Sequence, residues 1–238
     1  MTEIPKTLEA AIAQSREATQ AAIADGLTRL QVELVFPELK PMPVAQQFIE
    51  VFADLGSHIK VYFPDAGAAA LARRDWGELP FEVRGIGEIK GKMQPDDQAF
   101  ILVAPSSVEV VEVEKICEEA GDRPLIMLNP CLEDISTIGI GYAGRQLRER
   151  FLSTFETCYY LRPLEQAALL RCYPSPWQVW LENQDDYQLI AEVAQKPVGE
   201  DLDRLLAKET SENTDQPTTP PKTGFFKDLQ RLLKALGQ

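Results

Sequence analysis

The segment AFILVAP, residues 99–105, constrains the fold of this chain more than any other part of the sequence. It is almost wholly apolar and does not alternate between polar and apolar positions. A strand with one face in water alternates, whereas a parallel strand covered by helices on both faces is apolar throughout. The segment therefore predicts a central strand of a parallel sheet with helices on both sides.

Strand-like and helix-like segments alternate around this central run. Further strands are predicted at residues 30–37, 59–64, 81–86 and 124–130. Helices are predicted at about residues 8–24, 43–55, 66–74, 107–120 and 142–155. Because helices that join parallel strands form right-handed crossovers, the first part of the chain predicts a mostly parallel sheet.

The pattern changes after residue 155, where short turns alone separate the strand segments. These segments are CYYLRPL (158–164), ALLRCYP (168–174), WQVWLEN (177–183) and YQLIAEV (187–193). Short turns join antiparallel neighbours, so we predict an antiparallel meander, followed by a short helix near 200–207. We expect one α/β domain over residues 1–207, whose mixed, mostly parallel sheet is flanked by helices and ends in this meander.

Residues 208–223 differ in composition from the domain that precedes them. They contain three prolines and five threonines but no large apolar side chain. Such a segment cannot offset the entropy cost of ordering by burying apolar surface. The sequence therefore predicts a disordered linker.

The last segment, residues 224–238, has the spacing of an amphipathic helix tethered by this linker. Its predicted apolar face consists of Phe225, Phe226, Leu229, Leu232, Leu233 and Leu236. Its predicted flanks and opposite side carry Lys227, Arg231 and Lys234. An isolated helix of this length is marginal in water, so its apolar face needs another surface.

Three surfaces remain open for this helix: a membrane, a groove on a partner protein, or its own domain. Residues 222–238 carry four basic side chains and one acidic side chain, although the chain has a net charge of −13. A basic amphipathic helix is typical of segments that bind anionic membranes or partner grooves. We therefore predict that its apolar and basic residues bind a partner or a membrane. The acidic balance of the chain argues against nucleic acid as a partner.

A possible anion or partner site lies at the start of the helix predicted at 142–155. The sequence there contains a G-x-G-x-x-G pattern followed by two arginines one helical turn apart: Gly139, Gly141, Gly144, Arg145 and Arg148. In a dinucleotide site, such glycines let backbone amides approach a pyrophosphate, but a strand must precede them directly. Here residues 131–138 intervene, so a simple glycine turn is favoured. The arginines either bind an anion together or pair with Glu149, Glu156 or acidic loops.

No catalytic or metal-binding constellation is recognisable in the sequence. The four cysteines lack C-x-x-C spacing, and His58 is the single histidine, so the familiar zinc spacings are absent. We predict that the cysteines are buried, reduced thiols and that His58 is structural. Asp65, Asn129 and Asp134 follow predicted strands, where helix capping or turn formation explains them. We expect no metal, no cofactor and no enzymatic activity.

Several stretches, spread over about residues 5–183, together resemble a known family. They are PKTLEAAIAQSREATQAAIADGLTRLQVELVFP (5–37), VYFPDAGAAALARRDW (61–76), VAPSS (103–107), RPLIMLNPCLED (123–134) and GYAGRQLRERFLSTFETCYYLRPL (141–164). The family comprises cyanobacterial and chloroplast proteins catalogued as a domain of unknown function. It includes the plant Low Photosystem II Accumulation protein of the third complementation group.

The resemblance implies a role in oxygenic phototrophs, with plant relatives linked to photosystem assembly. We expect a non-enzymatic assembly or accessory factor that binds a photosynthetic protein complex or assembly intermediate. Its C-terminal helix would recruit it to the thylakoid membrane or to a complex. Since no signal or transit segment is recognisable, we expect it in the cytoplasm or peripherally on the thylakoid. The alternative is a nucleotide- or phosphometabolite-binding enzyme that uses the glycine turn at 139–144.

Overall fold

The computed structural model describes residues 3–88, 92–132, 142–183 and 186–212. The strands are β1 (Arg29–Leu34), β2 (Ile59–Phe63), β3 (Glu82–Gly85), β4 (Ala99–Val103), β5 (Leu125–Leu128), β6 (Glu156–Leu164), β7 (Ala167–Cys172), β8 (Trp177–Asn183) and β9 (Asp186–Val193). The α-helices are α1 (Leu8–Ala24), α2 (Pro41–Phe48), α3 (Ala66–Trp76), α4 (Val110–Ala120), α5 (Tyr142–Arg150) and α6 (Glu200–Glu212). Segments of 3₁₀ helix span Ile49–His58, Ser107–Glu109 and Leu152–Thr154.

Within the described ranges, nine strands form one sheet in the order β3-β2-β4-β5-β1-β6-β7-β8-β9. Neighbouring strands from β3 through β6 are parallel, and those from β6 through β9 are antiparallel. The predicted mixed sheet with a terminal meander is thus confirmed. None of the described helices combines the length and apolarity that a membrane span requires.

The core lies on both faces of the parallel strands. Every residue of β2, β4 and β5 is buried, as the apolar run at 99–105 predicts for central strands. Helices α1, α2 and α3 pack on one face, and α4 and α5 pack on the other. Helix α6 packs beside the meander through three leucines that lie against the cluster containing Tyr160 and Trp177. Since Tyr159 belongs to the α1 face, its neighbour Tyr160 points to the α5 face.

The helix predicted at 43–55 is interrupted. The α-helix ends at Phe48, and tighter turns continue to His58 with non-helical backbone at Phe52 and Gly56. Phe48, Ile49 and Phe52 are all buried, so packing of these side chains prevails over the helical pattern. Gly56 has φ = 53°, a conformation that glycine adopts without steric cost.

Asp65 caps α3, as helix capping predicted for this residue, and Ser106 caps the turn that leads into α4. The Asp65 carboxylate accepts a 2.9 Å hydrogen bond from the Ala68 amide, and Ser106 forms a reciprocal capping box with Glu109. These contacts satisfy amides that have no partner within the helix. At the other end of the chain, α6 continues to Glu212, beyond the end predicted at residue 207. The rest of the predicted linker and the helix at 224–238 lie outside the described residues.

Candidate functional site

A groove of about 550 Å³ opens on the α5 face of the sheet. Its floor is formed by side chains of β5, β1 and β6, and α5 and the turn after it form a wall. The residues that line it are Gln31, Glu33, Met127, Pro130, Cys131, Leu132, Arg148, Leu152, Ser153, Phe155, Thr157 and Lys196. Several of them lie at the carboxyl ends of β5 and β1, where open α/β sheets bind their ligands.

The floor of the groove is polar because β1 alternates. Leu30, Val32 and Leu34 are buried on the α1 face. Gln31 and Glu33 therefore point to the opposite face and into the groove. The neighbouring strand β5 does not alternate, because all of its residues are buried. The centre of the sheet thus presents an amide and a carboxylate rather than apolar side chains.

Lys196 is held beside the groove by three aromatic and acidic neighbours. Its Nζ atom lies 3.8 Å from the centroid of the Tyr160 ring and 5.5 Å from that of Trp177. It also lies 4.0 Å from Oε1 of Glu33, which accepts a 2.6 Å hydrogen bond from Nε2 of Gln31. The two aromatic rings contact each other edge to face, with centroids 5.2 Å apart. This array fixes an ammonium group above β6.

Arg148 reaches the groove from α5. Leu147 and Phe151 are buried against α4, which fixes the rotation of α5 about its axis. Arg150 forms two hydrogen bonds, of 3.0 and 2.6 Å, to the Glu114 carboxylate on α4. The helix is therefore attached to α4 by both apolar packing and an ion pair, and its Arg148 lines the groove.

The structure places only part of the site predicted from the sequence. Gly144 and Arg145 lie in α5, and Arg148 lines the groove. Gly139, Gly141, the Arg145 side chain and the whole of residues 224–238 lie outside the described part. The predicted pairing of Arg145 with Arg148 around one anion therefore stays a prediction. Glu156, a predicted partner of these arginines, accepts a 2.8 Å hydrogen bond from Arg171.

Several groove residues were not predicted from the sequence: Gln31, Glu33, Thr157 and Lys196. The alternation of LQVELV at residues 30–35 was the available signal for the first two, because it places polar side chains on one face of a central strand. No local pattern distinguishes Lys196 from other lysines.

The family model described as Domain of unknown function (DUF1995) matches residues 5–204 of the chain. The chain belongs to the DUF1995 family. The match covers every residue of the groove, whereas the predicted helix at 224–238 lies beyond it. No solved structure matches this DUF1995 protein.

The cysteines of this DUF1995 protein fall into two environments, and all four are free thiols. Cys117, Cys158 and Cys172 are buried, as predicted, and burial raises the pKa of these thiols to about 12, 12 and 11. A thiol with such a pKa stays protonated at neutral pH and is a poor nucleophile. The prediction was wrong for Cys131, which is exposed. Strand β5 ends at Leu128, so this residue lies at the groove edge instead of in the core.

The polar residues predicted near strand ends have structural contacts in the DUF1995 fold. Nδ1 of His58 donates a 2.9 Å hydrogen bond to the carbonyl oxygen of Asp96. Oδ1 of Asn129 accepts a 2.7 Å hydrogen bond from the Leu34 amide, and this bond joins the carboxyl ends of β5 and β1. Asp134 lies outside the described residues.

A second surface of this DUF1995 protein is the outer edge of β9. In the described part of the chain, no strand pairs with β9 on the side away from β8. Ile190, Ala191 and Val193 pack with α6 and the meander, while Tyr187 and Leu189 pack against the main core. Side chains on both faces of β9 are therefore packed against the rest of the protein. The strand contains no proline, so none of its backbone amides is missing. It therefore presents a preformed row of backbone hydrogen-bonding groups.

Proposed function

We propose that this DUF1995 protein is a non-enzymatic accessory factor in photosynthetic complex assembly that binds a protein client. The resemblance to a family whose plant member is linked to photosystem accumulation supports the photosynthetic context. The client would be a photosynthetic protein or an assembly intermediate. The DUF1995 protein itself would be located in the cytoplasm or on the surface of the thylakoid membrane.

The observation that carries client binding is the outer edge of β9. An extended segment of a client adds to an exposed edge by main-chain hydrogen bonds, and side-chain contacts then provide selectivity. Packing on both faces of β9 reduces the entropy lost on binding, because the strand is ordered before the client arrives.

The second part of the proposal is recruitment through residues 224–238. Their amphipathic spacing and basic charge, read from the sequence, support binding to an anionic membrane or to a groove in the same complex. The α/β domain would thus bind the client, and the C-terminal helix would determine where in the cell the protein is located.

A pull-down from detergent-solubilised thylakoid membranes tests client binding. We expect the full chain to recover a photosynthetic protein, and a chain lacking residues 224–238 to recover the same protein. Hydrogen exchange over residues 186–193 should then slow when the recovered protein is added. Recovery of no photosynthetic component would contradict the proposed function, and unchanged exchange in β9 would contradict its role as the client site.

The alternative proposal is a nucleotide- or phosphometabolite-binding enzyme. The position of Arg148 in the groove favours it, because this arginine follows the glycine turn in the sequence. Thermal shift measurements with millimolar ATP and NAD test it. We expect a rise in melting temperature if the glycine turn binds nucleotide, and no shift with either compound would remove this alternative.

A further inference from the structure

An apolar pocket of about 190 Å³ lies near the β3 edge of the sheet, at the amino end of β2. Its walls come from α2 and the segment after it, from the end of α3 and from the turn that leads into β3. The described residues that line it are Gln46, Ile49, Glu50, Phe52, Ala53, Gly56, Ile59, Trp76, Leu79, Pro80 and Phe81. The pocket is separate from the groove, which lies on the other face of the sheet.

The pocket lies where the helix predicted at 43–55 is interrupted. Phe52 and Gly56, whose backbone is not helical, both line it. A Cβ atom added to Gly56 would meet no neighbouring atom within 4 Å. The wall at this position is therefore bare backbone, and no side chain from it fills the pocket.

Aromatic rings form much of the wall, and the core holds them in place. Phe52 is buried, whereas Trp76 and Phe81 are partly buried and pack against the same core cluster. The Trp76 ring also contacts the Phe63 ring, with centroids 5.6 Å apart. Aromatic side chains bind another ring through edge-to-face or offset contacts. The pocket therefore offers a preformed surface for an aromatic ring.

The lining selects against charged ligands. Among the described lining residues, only Glu50 carries a charge, and its side chain is 66% exposed and paired with Arg16. An ion that entered the pocket would lose water without gaining a countercharge, which costs free energy. Gln46 is also exposed and supplies an uncharged amide at the rim. An uncharged ligand with one hydrogen-bonding group fits this lining.

The volume of the pocket limits the ligand to about one ring. An apolar cavity of roughly 150 Å³ in a protein core binds benzene. The pocket, at about 190 Å³, is slightly larger. It therefore has room for one ring with a small substituent and is too small to enclose a larger ring system.

We propose that this pocket binds an uncharged small molecule built on one aromatic ring, with a hydroxyl group that contacts Gln46. The ring lies against Phe52, Trp76 and Phe81. This site goes beyond client binding, which uses the edge of β9, and it does not depend on a client.

Fluorine NMR titration of the full chain with para-fluorophenol tests the site, with para-fluorobenzoate as the charged counterpart. At about pH 7 the phenol is neutral and the benzoate is ionised. We expect saturable binding of one phenol per chain. The benzoate should bind at least about tenfold more weakly, because the pocket offers it no countercharge.

The indole NMR signals of the three tryptophans show where the ligand binds. The signal lost in Trp76→Phe belongs to the pocket, whereas Trp177 and Trp180 lie in the meander. We expect para-fluorophenol to shift the Trp76 signal and to leave the other two in place.

Substitutions separate the pocket from the rest of the surface. Ala53→Phe places a large side chain in the pocket and should weaken phenol binding by at least about tenfold. Its matched control is Ala70→Phe, at an exposed alanine of α3 that does not line the pocket. Gln46→Ala should weaken the phenol about fivefold, as expected for one hydrogen bond, and leave fluorobenzene unchanged. Near-ultraviolet circular dichroism verifies that each variant is folded.

Four results would overturn the proposal. They are no saturable binding of the phenol, equal binding of the benzoate, a shift of the Trp177 or Trp180 signal in place of that of Trp76, and equal effects of Ala53→Phe and Ala70→Phe. None of these measurements involves the client, so the pocket and the proposed function fail separately.

Discussion

The Lys196 ammonium lies 3.8 Å from the centroid of the Tyr160 ring and joins the segment after β9 to the centre of the sheet. Tyr160 lies in β6, whereas Lys196 lies between the end of β9 at Val193 and the start of α6 at Glu200. This contact therefore fixes where α6 begins its packing against the meander, and it positions a cation at the groove.

Replacing Lys196 by methionine should lower the free energy of unfolding by about 1 kcal/mol, because a cation over aromatic rings is lost while the aliphatic stem remains. Urea denaturation measures this change. The matched control is Lys6→Met, whose exposed ion pair with Asp186 spans 3.8 Å and should contribute little. An equal effect of both substitutions would show that the aromatic contact of Lys196 adds no stability.

The buried pair of Lys60 and Asp97 predicts a larger effect. Their side chains are 4% and 5% exposed, with Nζ and Oδ2 3.4 Å apart. Lys60→Met should destabilise the protein by about 3–5 kcal/mol, because a buried carboxylate loses its countercharge. Adding Asp97→Asn should restore part of this loss. Chemical denaturation compares the variants, and a double variant no more stable than the single one would contradict the interpretation.

The two cysteine environments predict selective thiol labelling. At about pH 8, one thiol per native chain should react rapidly with a disulfide reagent, because thiolate is the reactive form and the buried thiols stay protonated. Cys131→Ser should abolish this fast phase. In urea, the three buried thiols should also react rapidly, because unfolding exposes them. Fast reaction of a second thiol in the native protein would show that a buried cysteine is accessible.

The raised thiol pKa values also predict alkaline destabilisation. Unfolded thiols ionise near pH ~8.5, whereas burial raises the pKa of Cys158 to about 12 and that of Cys172 to about 11. Burial also raises the pKa of Tyr159. The unfolded state thus loses protons first, so stability is full below the unfolded pKa and falls as pH rises toward the folded values.

Urea midpoints at about pH 8 and about pH 10 measure this fall. A variant with Cys158→Ala and Cys172→Ala should show a flatter pH dependence, although its stability at the lower pH will also fall because of the cavities. A midpoint that rises between these pH values would contradict the predicted sign.

Recruitment through residues 224–238 predicts binding to anionic vesicles. The full chain should float with vesicles that contain anionic lipid, and a chain ending at residue 223 should not. Replacing Lys227, Arg231 and Lys234 by glutamine should weaken flotation, since each basic residue contributes about 1 kcal/mol near such a surface. Flotation that is unchanged by the deletion would contradict membrane recruitment by this segment, and no flotation of the full chain would favour a protein partner.

The sequence by itself determined most of the strands and helices, although not the interruption of the helix predicted at 43–55. Residues 99–105 have no polar position to place in water, so they had to be covered on both faces. Asp65 and Ser106 mark helix starts because their side chains satisfy free amides only a few residues away. These properties are local and can be read from neighbouring positions.

Only the tertiary structure decided the strand order and the groove. Strand β1 lies between β5 and β6, an order that depends on how all the crossovers pack together rather than on any one segment. Glu33, Tyr160 and Lys196 meet although they are distant along the chain. The exposure of Cys131 likewise depends on where β5 ends relative to α5. Contacts between residues that are distant along the chain arise from the packing of the whole domain, so the local periodicity of the sequence does not predict them.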